Sequence, residues 1–297
     1  MLIIILNIEV IVKILITGKN GQLASEFQRA LENYNYQIAA FDKETLNISD
    51  PDVVTGVVSQ YNPDIILNCA AYNLVDEAEK EFDTAYKVNA FGIKNLASAC
   101  KKHNTLLVHY STDYIFDGTK EDFYMEDDKP NPINNYGKSK LSGENFLIEE
   151  ADKFLLFRVS WVFGDGKQNF LYKLSEWAKK NRILKIVCDQ ISVPTYTKDI
   201  VTLTMLAIQK NLRGIYHLPN SGYASRYEVA RYFIERLGMD NLILPVPSDY
   251  FHVPAKRPYF SAMSNLKLSK DLNVNIPHWR IGIDRYIEAV FKREEIL

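Results

Sequence analysis

Short apolar runs alternate with stretches of helical spacing along the first half of the chain. Val10 to Thr17 is β-branched and apolar and stops at Gly18, which predicts a buried strand. Gly21 to Asn33 carries Leu23, Phe27, Ala30 and Leu31 on one face, as a helix would. Gln37 to Phe41 predicts a second strand closed by Asp42. Asp50-Pro51 then opens a helix with a capping carboxylate and a proline suited to its first turn. Asp64 to Asn68, Leu106 to Tyr110 and Lys153 to Val159 read as three further strands. Thr84 to His103 reads as one long helix, with Ala85, Val88, Gly92, Leu96 and Ala99 along a stripe, and Phe170 to Lys180 as another. Strand and helix in alternation predict a Rossmann-type α/β fold, a doubly wound parallel sheet covered on both faces.

From about Asn181 the rhythm weakens. Pro194, Gly214, Pro219, Pro245, Pro247, Pro254, Pro258 and Pro277 punctuate shorter segments, and helical spacing returns at Ser225 to Leu237 and Ile283 to Phe291. A smaller, irregular α+β lobe is expected there. The expected division is residues 1–160 for the sheet domain and 161–297 mainly for the second lobe, with some segments returning to the sheet. The acidic loop from Asp117 to Pro132 reads as solvated surface. Met1 to Val12 is apolar, but Asn7 and Glu9 interrupt it, no basic start precedes it and no cleavage site follows. It is also too short to span a bilayer, so residues 1–9 read as an extra lead-in.

Composition narrows the function classes. With 297 residues, 47% hydrophobic and 24% charged, the chain has an ordinary globule's means of building a core. A net charge of −2 without long blocks of either sign argues against a nucleic-acid arm or a membrane-binding face. Cys69, Cys100 and Cys188 are widely spaced and form neither a disulfide framework nor a zinc motif, which suits reduced thiols in the cytoplasm.

Candidate chemistry begins at Thr17-Gly18-Lys19-Asn20-Gly21-Gln22-Leu23-Ala24, between the first strand and the first helix. Gly18 permits a tight turn, Gly21 lets backbone N–H groups approach a pyrophosphate, and the helix N-terminus adds donors and partial positive charge. Asp42, after the second strand, stands where a carboxylate commonly accepts from an adenosine ribose. Lys43 beside it suits a 2′-phosphate, so NADH and NADPH both stay open. Downstream, Tyr136 and Lys140 share a helix face, where an ammonium is expected to lower the phenol's pKa from about 10. Thr112, ending the fourth strand, could hold a carbonyl oxygen while Tyr136 supplies the proton.

Together these motifs resemble an extended short-chain dehydrogenase/reductase, specifically the dTDP-4-dehydrorhamnose reductase family. The likeness covers about residues 13–290. It rests on Gly18 through Leu23, Asn68 through Tyr72, Val75 through Glu79, Tyr110 through Gly118, Tyr136 through Lys140, Arg158 through Gly164, Asp189-Gln190 and Pro194-Thr195. The resemblance implies NADPH- or NADH-dependent reduction of the C4 ketone of a nucleotide-activated 6-deoxy-hexulose. Tyr136 would be the proton donor; Lys140 would lower its pKa and hold the nicotinamide ribose; Thr112 would position the C4 oxygen. Gly21, Gln22 and Leu23 would meet the pyrophosphate, Asp42 the adenosine ribose, and Ala71, Tyr72 and Asn73 the cofactor's flank, with Tyr110 beside the nicotinamide. Asp113 and Trp161 match sugar-facing positions, and Arg257 is a candidate for the substrate diphosphate.

Ala24, Asn73-Leu74 and Ser192-Val193 depart from the family pattern, away from the proton-transfer group. Some relatives bridge a homodimer with Mg²⁺; only Glu26 matches such a position, it reads as a lone exposed glutamate, and no metal is predicted. Dehydratases place an Asp-Glu pair after the Thr, whereas Tyr114 follows Asp113 here, which favours reduction. An epimerase and a non-catalytic cofactor-binding regulatory subunit are the alternatives.

Overall fold

The structure, a computed structural model, describes residues 11–32 and 34–291. The predicted lead-in at 1–9, Val10 of the first strand and Asn33 of the first helix lie outside the described residues. In chain order the first half runs β1 (Val12–Thr17), α1 (Gln22–Leu31), β2 (Tyr36–Phe41), α2 (Pro51–Tyr61), β3 (Ile65–Asn68), α3 (Phe82–Tyr86), α4 (Gly92–His103), β4 (Leu106–Thr112), α5 (Asn135–Glu150) and β5 (Phe154–Val159). The second half runs β6 (Val162–Phe163), α6 (Phe170–Lys180), β7 (Ile183–Val187), β8 (Ile191–Ser192), β9 (Thr195–Tyr196), α7 (Thr197–Gln209), β10 (Gly214–His217), β11 (Ala224–Ser225), α8 (Arg226–Arg236), β12 (Leu242–Val246), α9 (Leu266–Leu272) and α10 (Trp279–Val290).

Six parallel strands form the central sheet in the order β10-β5-β4-β3-β1-β2. Strand order reverses between β1 and β3, which opens a crevice at the carboxyl ends of the strands. The pleat sorts side chains between two cores. Ile14, Ile16, Leu67 and Val108 face α1 and α7, while Leu15, Ile66 and Leu107 face α2 and α4. The apolar runs in the sequence are continuous because both faces are covered.

Local chemistry sets the helix ends. Asp50 caps α2 by accepting from the Asp52 and Val53 N–H groups, with Pro51 in the first turn as expected. The predicted helix from Thr84 to His103 is broken by a π-turn at Lys87–Phe91. There the buried Asn89 amide accepts from the Tyr72 N–H and donates to the Tyr72 carbonyl and the Ser139 hydroxyl. Gly143 of α5 lies against this turn, and a Cβ there would come within 2.1 Å of the Asn89 carbonyl oxygen.

After β5 the chain leaves the sheet for a smaller lobe, returns for α7 and β10, leaves again, returns for α9 and leaves for α10. The lobe's own core joins Phe163, Leu174, Tyr196, Phe233, Trp279 and Tyr286, ringed by the strand pairs β6–β9, β7–β12 and β8–β11. Asn220 binds several of these passages together: it accepts from the Tyr196 N–H and donates to Asp199 and the Pro277 carbonyl. Pro245, read as punctuation, sits inside β12, whose one partner is β7; a proline is tolerated on such an edge. The 117–132 loop is also more ordered than a solvated surface. Asp117 accepts from the Thr119 backbone and hydroxyl, the Tyr124 hydroxyl and the Asn131 amide, which together hold its pKa down at about 2.

Candidate active site

A cleft of about 450 Å³ opens over the carboxyl ends of the strands. One wall is the turn after β1. Gly18 takes φ +70°, and a Cβ there would sit 2.8 Å from the Ala70 backbone nitrogen, so the ends of β1 and β3 close up only because no side chain intervenes. Gly21 precedes α1 without a side-chain cap, and Gly21, Gln22 and Leu23 line the cleft with the first-turn N–H groups that no helical carbonyl can satisfy. Gln22 donates from Nε2 to the Val162 carbonyl, 3.1 Å away, while its buried Oε1 has no partner. A backbone cradle, an exposed helix start and an orphaned side-chain oxygen fit a dinucleotide's pyrophosphate. Asp42 stands past the end of β2, beyond the cleft lining, where its carboxylate accepts from the Thr45 N–H and hydroxyl and is held below the usual range.

The opposite wall comes from β4 and α5. Asn134 caps α5 through the Gly137 N–H, and a Cβ at Gly137 would lie 2.2 Å from the Tyr114 carbonyl oxygen. That close approach sets Tyr136 and Lys140 beside the end of β4, where Thr112 completes the predicted trio in the cleft lining. The Tyr136 hydroxyl is 3.4 Å from Asn73 Oδ1. Thr112 donates to Asp113 Oδ1 at 3.1 Å and accepts from the Tyr114 N–H at 3.2 Å. Lys140 is 2% exposed; its Nζ donates to the Tyr110 carbonyl at 2.7 Å and lies 3.4 Å from His109 Nε2.

The expected tuning of the phenol by the ammonium is reversed. Burial pushes the Tyr136 phenol above its ordinary pKa, opposed by a hydrogen bond with Thr112. Burial also lowers Lys140 to about 8, with Glu144 opposing. The physical reason is geometric: Lys140 turns its Nζ to the Tyr110 carbonyl and to His109, leaving the phenol in an apolar corner with Tyr72 and Tyr114.

The other predicted residues divide. Ala71 and Asn73 line the cleft, whereas Tyr72 is outside its lining, its backbone held by Asn89. Tyr110 turns its ring into the core between Phe27 and Phe157 and its hydroxyl to Thr204, so what it presents near Lys140 is its carbonyl. Asp113 lines the cleft but is 2% exposed and accepts from the hydroxyls of Thr112, Ser192 and Ser261. Burial raises its pKa against those three donors. Trp161 lines the cleft at φ +38°, a backbone conformation a bulky residue rarely adopts.

Arg257 is outside the lining: its guanidinium binds Asp76 at 3.1 and 2.7 Å, a forked pair that tethers the 255–257 segment. The guanidinium in the cleft is Arg226, 4.3 Å over the Trp161 ring. Glu26, read as exposed, is 6% exposed and paired with Arg29 at 2.7 Å, because α1 packs that face inward. Among the described residues no group of His, Cys, Asp or Glu is placed to hold a metal ion, and no helix is long and apolar enough to cross a membrane. Sequence reasoning missed Asn89, His109 and Arg226. His109 alone carried a signal, a titratable residue inside the apolar run of β4.

Comparison with known proteins agrees with this geometry. The RmlD substrate binding domain family matches residues 12–291. The spore coat polysaccharide biosynthesis protein SpsK of Bacillus subtilis (strain 168) is 36% identical over 93% of this chain and 97% of its own. The dTDP-4-dehydrorhamnose reductase of Burkholderia thailandensis is 35% identical over 91% of this chain and 96% of its own. The crystal structure of dTDP-4-dehydrorhamnose reductase from Bacillus anthracis str. Ames in complex with NADP is 37% identical. It superposes with a TM-score of 0.92 over 94% of this chain and 100% of that one. A dinucleotide turn, a Thr-Tyr-Lys cleft and likeness along nearly the whole length lead to one assignment: the chain belongs to the RmlD family, that of the dTDP-4-dehydrorhamnose reductases.

Proposed function

We propose that this protein reduces the C4 ketone of dTDP-4-dehydrorhamnose to give dTDP-L-rhamnose, with NADPH or NADH as reductant. The observation that carries the reading is the meeting of Thr112, Tyr136 and Lys140 in one cleft with the Gly21-Gln22-Leu23 turn. The nicotinamide cofactor, when bound, supplies the hydride to C4. Tyr136 gives its phenolic proton to the ketone oxygen, so the product is a secondary alcohol. Burial keeps that phenol protonated at neutral pH, the state a proton donor needs. Thr112 holds the same oxygen by turning its hydroxyl hydrogen from Asp113 to the ketone. Gly21, Gln22 and Leu23 would hold the pyrophosphate, Lys140 the nicotinamide ribose, Asp42 the adenosine ribose, and Ala71 and Asn73 the flank.

Trp161 offers an apolar face to the sugar, with Asp113 bracing the cleft behind it. On this reading residues up to 160 chiefly bind the cofactor, the later lobe binds the sugar nucleotide, and the reaction takes place in the cytoplasm. The test is loss of NADPH or NADH absorbance on adding dTDP-4-dehydrorhamnose, with product identified by chromatography. Cofactor binding without oxidation of either nicotinamide would overturn the reading.

A further inference from the structure

Three buried polar side chains cross the sheet in a row near the carboxyl ends of its central strands, with Asn68 also lining the cleft. Thr17, Asn68 and His109 are register partners on β1, β3 and β4, each at most 1% exposed. Thr17 Oγ1 lies 2.5 Å from Asn68 Oδ1 and accepts from the Ala70 N–H at 3.2 Å. Asn68 Nδ2 lies 2.9 Å from His109 Nδ1. His109 Nε2 faces Lys140 Nζ at 3.4 Å, and Lys140 ends the row on the Tyr110 carbonyl. Packing alone does not ask for this, since apolar residues of similar size would fill the same space without needing partners.

We propose that His109, braced by Asn68 and Thr17, is the positioning residue for Lys140, and that this row accommodates both charge states of the lysine. An ammonium only donates, so a charged Lys140 needs a bare Nε2 on His109 and hence a hydrogen on Nδ1. Nδ1–H needs an acceptor, which the Asn68 amide supplies by presenting its oxygen. With the amide turned the other way, as found, Nδ2 donates to Nδ1, Nε2 carries the hydrogen, and the matching partner is an uncharged amine. Each charge state of Lys140 therefore has its own arrangement of the row, reached by turning one amide and changing one tautomer.

The charged group facing His109 is Lys140 of α5; β3 and β1 offer only the neutral Asn68 and Thr17. Lys140 in turn faces Glu144, which is bound by Arg158. Burial keeps His109 neutral, which suits its use as an acceptor.

The role assigned to Lys140 rests on the proposed function, so the test reads binding as well as turnover. NADPH affinity and kcat/KM are measured against pH in wild type, His109→Leu, His109→Gln and the near-isosteric Thr17→Val. Wild type is expected to lose both as pH rises through about 8, where Lys140 discharges. Removing the acceptor destabilises the ammonium, so His109→Leu should move that midpoint down by about one pH unit. His109→Gln, whose amide can accept, should restore it, whereas Thr17→Val, which removes the hydroxyl that holds the Asn68 oxygen in the uncharged-lysine arrangement, should move it up by less. A midpoint unmoved in folded His109→Leu, or, should that variant not fold, in Thr17→Val, would overturn the proposal; a merely structural role lowers activity equally at all pH. A shift in binding without turnover of dTDP-4-dehydrorhamnose in wild type would instead overturn the proposed reaction and leave His109 in its role.

Discussion

Tyr136→Phe removes one oxygen and little else. The hydrogen bonds lost are the long one to Asn73, 3.4 Å, and the one with Thr112, while the ring keeps its edge-on contact with Tyr114, 6.1 Å between centroids. Together, on a side chain 9% exposed, they are worth about 1 kcal/mol. Tm should therefore stay within about 3 °C of wild type. The Gly18–Leu23 wall lies across the cleft, so NADPH affinity should also hold within about twofold. Turnover is another matter. Thr112 has its own hydrogen directed to Asp113, and Lys140 is held on Tyr110 and His109. Neither stands ready to replace the phenol as acid, so kcat should fall by about 10² or more with KM little changed. Steady-state oxidation of NADPH with saturating dTDP-4-dehydrorhamnose, alongside a fluorescence titration of cofactor, measures both quantities. A kcat within threefold of wild type would refute the assignment of the proton.

Lys140→Met should abolish turnover and weaken NADPH binding yet raise Tm. The native pKa of about 8 lies below the unfolded value of 10.5, so the buried ammonium costs stability at neutral pH, a cost that fades as pH rises from about 8 towards 10.5. Removing it relieves about 3 kcal/mol; a melting scan showing a lower Tm at pH 7 would contradict that sign. Gly18→Ala should lose more than about 1 kcal/mol and most cofactor affinity, because φ +70° and the Ala70 backbone both reject a methyl; near-normal NADPH binding by calorimetry would count against the turn. Arg257→Ala should lower stability by about 1 kcal/mol in urea unfolding while substrate KM stays within about twofold, since the guanidinium serves Asp76. A tenfold rise in KM with unchanged stability would return Arg257 to the substrate.

The sequence reading succeeded where pattern is local. β1, α1 and the glycine turn follow from apolar runs and backbone freedom within a few residues, and their bounds fell close to those found. The pairing of Tyr136 with Lys140 was legible as helical spacing, but where each polar end points was not. That depends on His109 and the Tyr110 carbonyl, contributed by a strand some thirty residues earlier and visible only once β4 lies beside α5. Arg257 read as a candidate for the substrate diphosphate because its carboxylate, Asp76, is remote in sequence. The π-turn at Asn89 has no periodic signature, since it exists to satisfy the backbone of Tyr72. Pro245 misled for the opposite reason: a strand with a single partner escapes the rule that proline ends one.

The repeated passage of the chain between sheet and lobe, pinned at Asn220, has a mechanical meaning. Two bodies joined by a single linker swing freely; these are joined by several connections whose ends Asn220 bonds to one another. Bending one passage requires bending its neighbours, so the stiffness of the joint grows with their number. The cleft should accordingly keep its width in solution and admit its ligands by side-chain rearrangement at its mouth rather than by a wide swing of the lobe. Such rigidity holds the distance between hydride source and proton donor within the narrow range that transfer tolerates, and it gives Asn220, an amide outside the cleft lining, a share in setting the rate.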